Sequence, residues 1–190
     1  MYSKENKHQK TISFEVTKND YLQHLLYSAS KTPSVIQKRR RHKIILPIIY
    51  LGVAVFGIFQ GNLLLILSMV AMAALWFWWF PSWERKQYIQ QYNKYLDQNH
   101  VDEIGKKVKL EFNSQEIIQT EKNQTFHISY EQIRGWFETK MAVYIGLQDG
   151  YTIIIPKNDA AEIEEIKSIV YNNEFKIPIQ EQLDLEWEWK

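Results

Sequence analysis

The chain contains no cysteine, which excludes a disulfide framework, a thiolate metal site and a cysteine nucleophile. Other common catalytic signatures are missing too: there is no His-Glu-x-x-His, no Gly-x-Ser-x-Gly and no glycine-rich phosphate loop. The five histidines are scattered. His8 lies in a polar terminus, His24 on the polar side of a first helix, His42 in a basic cluster, His100 at a helix end and His127 within a strand. Each reads as a surface or ordinary strand residue. Glu164-Glu165 falls on a solvated helix face and Asp102-Glu103 near a helix end, so neither pair forms an acid/base couple. No cofactor and no metal are expected, and the protein reads as a binding protein, not an enzyme.

The most informative absence is of charge. Of 190 residues, 1 to 43 carry ten basic and three acidic side chains (+7) and 84 to 190 carry thirteen and nineteen (−6), whereas 44 to 83 carry none. Such a run is foreign to a chain that is 24% charged, and it predicts a membrane protein with polar parts on either side of an apolar middle.

Ile44 to Phe59 is uncharged, Gln60-Gly61-Asn62 is a turn signal, and Leu63 to Phe80 is apolar or small apart from Ser68. At 1.5 Å per residue the two runs span about 24 and 27 Å, close to a hydrocarbon core of about 30 Å. One helix through all of it would be about twice too long and would bury Gly61 and Asn62 at mid-membrane. A transmembrane hairpin over 44–83 is therefore expected. Lys38, Arg39, Arg40, Arg41 and Lys43 precede it, Arg85 and Lys86 follow it, and the turn is uncharged. This places both termini in the cytoplasm and the protein in the cell membrane. A signal peptide does not fit, because the apolar run begins 44 residues in and continues through a second span. Neither span holds an ionisable residue to carry protons or ions. Trp76, Trp79, Phe80 and Trp83 recur at helical spacing, as interfacial anchors would. Gly57 and Gly61 have the small-xxx-small spacing that admits a second copy or another helix, but because Gly61 already lies in the turn a flexible outer loop is the favoured reading.

Before the hairpin, residues 1–43 hold an alternating stretch at Ile12, Phe14 and Val16. Thr17 and Asp20 follow as a helix start, with a stripe of Tyr21, Leu22, Leu25, Leu26 and Ala29 and a stop at Pro33. After it, Pro81 breaks the second span, and 84–105 forms a connecting helix with Tyr88, Ile89, Tyr92, Tyr95 and Leu96 on one face, ending about Gly105. Residues 106–177 then give six short β runs, 108–112, 116–120, 125–130, 133–139, 142–147 and 151–155. Asn113-Ser114, Lys122-Asn123 and Asp149-Gly150 supply turns between them. Pro156 ends the sixth run. Asp159 and Glu162 then start a final helix with Ile163, Ile166, Ile169 and Val170 inward.

This is a membrane α-helical hairpin joined to an α+β domain, a small antiparallel sheet or barrel of pleckstrin-homology-like type capped by a C-terminal helix. Asp20-Tyr21, Leu26-Tyr27, the arginine-rich run, the Trp-Pro exit and Ile155-Pro156-Lys157 occur in the order seen in YcxB-like membrane proteins, and residues 10–172 resemble that family. The resemblance implies a bacterial integral membrane protein with a cytoplasmic pleckstrin-homology-like domain and brings no established activity. Because that fold has seven strands, Ile12 to Val16 is expected to supply the one that 106–177 lacks.

Lys106, Lys107 and Lys109 are followed by Glu111, Glu116 and Glu121, with no arginine before Arg134. The net −6 of residues 84 to 190 disfavours anionic lipid on this domain, and nucleic acid more so. The leading expectation is an adaptor that binds a protein partner at the lipid bilayer. Two alternatives are lipid contact through Lys38, Arg39, Arg40, Arg41 and Lys43, and a role as accessory subunit of a transport or export assembly. In the tail 178–190, Asp184, Glu186 and Glu188 alternate with Leu185, Trp187 and Trp189. Trp187 and Trp189 are candidate partner contacts, unless the tail pairs as an edge strand or folds back on its own domain.

Overall fold

The computed structural model describes residues 9–101, 103–121, 124–158, 160–171 and 177–182. They divide into two units, one formed by Met1–His24 with Leu96–Glu186 and the other centred on Leu25–Tyr95.

In the first unit, β1 (Lys10–Glu15), β2 (Lys107–Phe112), β3 (Glu116–Glu121) and β4 (Gln124–Ser129) form one antiparallel sheet in that order. Alternation sets the register. Ile12 lies opposite Leu110 and Phe14 opposite Val108, and all four are buried, because a slip of one residue would turn the apolar set to water. The N-terminal segment thus supplies the strand that the six C-terminal runs lack, some ninety residues away in sequence.

The second sheet has the order β7-β6-β5-β8, with β5 (Ile133–Thr139), β6 (Ala142–Leu147), β7 (Thr152–Pro156) and β8 (Ile179–Gln182). The 3-10 turn Tyr130–Gln132 leads from β4 into β5. Strand β8 runs parallel to β5, Ile179 opposite Trp136, and the Trp136 N–H donates to the Pro178 carbonyl at 2.9 Å. The start of the tail therefore folds back on its own sheet. Helix α4 (Ala160–Tyr171) lies against β2 and turns Ile163, Ile166, Ile169 and Val170 inward. Complete burial of Ile166 contributes about 1.5–3 kcal/mol.

One buried charge knits this unit together. Glu138 on β5 is 2% exposed and meets the ammoniums of Lys157 and of Lys167, the latter at 3.0 Å. Burial alone would raise its carboxyl, but the two lysines outweigh that effect and hold it below the usual carboxylate range.

Helix α1 (Lys18–Lys31) begins where Thr17 caps it. The Thr17 N–H and hydroxyl donate to Asp20 Oδ2 at 2.8 and 2.6 Å, and the Asp20 N–H returns to Thr17 Oγ1 at 3.3 Å. His24 is not on the polar side of this helix, as the sequence suggested. It is half-buried with its ring 5.1 Å from that of Tyr144, and burial pulls its imidazole down to about 4.

The second unit holds α2 (Pro33–Phe59) and most of α3 (Leu63–Asn99). Gly61, at φ +65°, allows the turn. The Asn62 N–H closes onto the Gly57 carbonyl (3.0 Å), and the Asn62 side chain caps α3 by accepting from the Leu65 N–H (3.1 Å). A Cβ on Gly57 would stand 3.1 Å from Ile66 Cγ1, so its small size serves the close approach of α2 and α3 within this chain.

Two boundaries differ from the sequence reading. Helix α2 begins at Pro33 and runs through Pro47, so the basic cluster is helical; α3 runs through Pro81 to Asn99 without a break, instead of a new helix running to Gly105. Each proline removes one N–H and frees one carbonyl, a loss that long apolar helices tolerate better than isolated helices in water. Gly105, at φ +78°, lies in the turn beyond α3 and donates its N–H to the Val16 carbonyl at 3.0 Å.

Both helices are long and apolar enough to cross a membrane. Only 17% and 11% of their most apolar windows are buried, whereas core helices of water-soluble units bury most of such residues.

Candidate functional site

The core-facing side of β3 changes character along its length. Ile117 is fully buried, Gln119 is 5% exposed, and Glu121 follows on the same face. A purely structural strand would continue with apolar residues there. Across the pleat, β4 places Ile128 opposite Ile117 and Phe126 opposite Gln119. Ile128 is buried, yet Phe126 is 48% exposed. The apolar core therefore ends between these two positions, and an open groove of about 530 Å³ begins, a volume typical of ligand sites.

The far wall is the hairpin between β6 and β7, from Leu147 to Tyr151. Its shape is set locally. The Tyr151 N–H donates to Asp149 Oδ1 (2.8 Å), Gly150 takes φ +94°, and the Leu147 N–H donates to the Tyr151 carbonyl (2.8 Å). Gln148 fastens this hairpin to the 3-10 turn. Its N–H donates to the Gln132 carbonyl (2.9 Å) and its side-chain amide to the Glu131 carbonyl (2.8 Å). That turn carries its own capping box between Ser129 and Gln132.

The groove is acidic and aromatic. Glu121 and Asp149 contribute carboxylates, Phe126 and Tyr151 contribute half-exposed rings, and among the described residues no lysine or arginine lines it. Lys106 Nζ stands 3.9 Å from Glu121 Oε1, beyond hydrogen-bond length. His127 Nδ1 lies 3.1 Å from both oxygens of Glu116, two residues from its cross-strand partner Ile118. Among the described residues no three His, Asp or Glu side chains are grouped to hold a metal ion.

The residues singled out from sequence lie elsewhere. On helical α2 the basic cluster wraps the helix instead of forming one face, because successive residues turn by about 100°. Lys38, Arg40 and Arg41 are exposed. Arg39 is drawn inward, its Nε 3.1 Å from Glu84 Oε2 on α3, and Lys43 Nζ is 5.9 Å from the centre of the Phe77 ring. Trp76, Trp79, Phe80 and Trp83 share one face of α3 and contact one another, with ring centres 5.0–6.4 Å apart. Trp78, 82% exposed, belongs to none of these contacts. Trp187 and Trp189, the candidate cap Asp159 and the turn at Lys122-Asn123 lie outside the described residues.

The groove-lining residues were missed in the sequence because Glu116 to Glu121 holds adjacent isoleucines, which leave the inward face ambiguous. A polar Gln119 and Glu121 in phase with Ile117 were the available signal.

Residues 112–170 are similar to one protein family. They match the family model described as YcxB-like protein; no curated protein and no solved structure matches the chain. The matched segment runs from the last residue of β2 into α4 and contains every described residue lining the groove. The basic cluster and the tryptophan face lie outside it.

Proposed function

We propose that this protein is a membrane-anchored, non-catalytic adaptor whose sheet domain binds a protein partner at the cytoplasmic face of a bacterial cell membrane. Helices α2 and α3 form its two-span anchor, with both termini on the cytoplasmic side. The observation that carries the reading is the exposure of long, charge-free apolar helix surface in a chain that also has an open groove on a polar domain. Apolar area of this extent left in water would cost about 25 cal/mol per Å², and a bilayer removes the cost. Lysine and arginine concentrated before the first span and directly after the second favour the cytoplasmic orientation.

The test has two parts. Carbonate washing of isolated membranes should leave the chain in the pellet. Crosslinking in cells should recover one protein with the full chain. Release by carbonate contradicts the anchor, and recovery of lipid alone contradicts the adaptor.

A second reading, contact with anionic headgroups, is favoured by the exposure of Lys38, Arg40 and Arg41. Each would contribute about 1 kcal/mol at low salt. Its mark is salt-dependent retention on anionic vesicles of a chain lacking the two spans.

A further inference from the structure

Resting on the adaptor reading, we infer that the groove between β3–β4 and the β6–β7 hairpin takes a lysine or arginine side chain presented by an extended segment of the partner protein. The groove supplies what a long cationic side chain needs. Its floor at Ile128 and Leu147 is apolar and buried, matching the methylene stem. Phe126 and Tyr151 are half exposed, and ring faces attract ammonium and guanidinium groups. Glu121 and Asp149 set carboxylates at the margin, where a charged head remains partly solvated.

Competing chemistries fit less well. Among the described residues, a phosphate or carboxylate ligand would find no lysine or arginine in the lining and would face two carboxylates, with Glu116 a third beside His127. The groove amides are largely engaged. Gln148 donates to Glu131, Gln132 accepts from Ser129, and Gln119 donates to the Tyr151 hydroxyl at 3.4 Å. The carboxylates remain as the principal charged groups. Asp149 holds the Tyr151 N–H through Oδ1. Lys106, with its Nζ 3.9 Å from Glu121 Oε1, offsets part of that charge.

The test uses the full chain in phosphatidylcholine nanodiscs, a lipid without net charge, so that basic peptides are not retained by the bilayer. A phage library of random heptapeptides is selected on the wild-type protein and on the E121Q/D149N variant, which keeps both side-chain shapes and an oxygen acceptor at 149. Thermal melting confirms that the variant is folded. The expected result is enrichment of lysine or arginine at one fixed peptide position, and at least about tenfold weaker binding of the selected peptide to the variant, equivalent to about 1.4 kcal/mol. Enriched peptides without a basic residue overturn the charge assignment and leave the adaptor reading standing. Basic peptides held equally well by the variant also overturn it, because the groove is then not their site. If no peptide is enriched, the groove assignment and the binding reading fall together.

Discussion

The Gln119 side-chain amide, buried on the core face of β3, donates to the hydroxyl of Tyr151 at 3.4 Å. That contact spans the groove from one sheet to the hairpin of the other. It is long for a hydrogen bond and holds a polar group where an apolar one would pack. Gln119→Leu is therefore expected to leave the melting temperature unchanged or raise it by a few degrees, about 1 kcal/mol or less. Recovery of a crosslinked partner should fall, because the contact that positions the Tyr151 ring in the groove is lost. A large drop in melting temperature would show that Gln119 serves the fold instead.

Glu138, with Lys157 and Lys167, is a buried charge whose removal leaves two ammoniums poorly paired. Glu138→Gln should cost about 3 kcal/mol in urea unfolding at pH 7. The pH dependence has a defined sign. The folded carboxyl lies below its ordinary value, so its contribution is present above that value and disappears as pH falls through the folded one. The stability gap between wild type and variant should thus close in strongly acid solution.

His24 acts in the same direction from a different cause, since burial disfavours its charged form. Burial holds its folded value at about 4, against 6.5 for an ordinary imidazole. The unfolded chain binds the additional proton first, so stability falls as pH drops from about 6.5 toward 4. The loss should be on the order of 2 kcal/mol after allowing for partial exposure. His24→Gln should flatten this window in denaturant titrations, and an unchanged slope would remove His24 as its cause.

Arg39 and Glu84 join α2 to α3 with side chains 13% and 9% exposed. Glu84→Gln should loosen the helical pair by about 1–3 kcal/mol, read as faster proteolysis or a lower melting temperature in detergent. Replacing the exposed Lys38, Arg40 and Arg41 by glutamine should affect that stability by less than about 0.5 kcal/mol each. Equal destabilisation by both changes would contradict the division of the cluster into an inward arginine and outward partners.

Much of the fold was legible because periodicity carries it. The two apolar runs, the turn at Gly61, six of the strands and the final amphipathic helix follow from hydrophobic spacing and turn residues. That Ile12 to Val16 supplies a strand came from counting strands against a resemblance, and its pairing with β2 was not legible, since no local signal joins Ile12 to Leu110. The continuity of α3 through Pro81 was misread, because the penalty for proline was weighed as if the helix stood alone in water. The inward turn of Arg39 needed helix phase and a partner 45 residues away, neither visible in a run of basic letters. The groove was least legible of all. It depends on where two sheets diverge, and that divergence is expressed only as Phe126 exposed opposite a buried Gln119.

The most direct test of the adaptor account is photocrosslinking in cells from two positions, with benzoylphenylalanine replacing either Phe126 in the groove or Met141. Met141 is 61% exposed in the turn between β5 and β6, at the opposite end of β6 from Leu147. The account predicts one protein crosslinked from position 126, depleted in the E121Q/D149N background and absent from position 141. Equal recovery from both positions, or recovery of lipid alone from position 126, would contradict it.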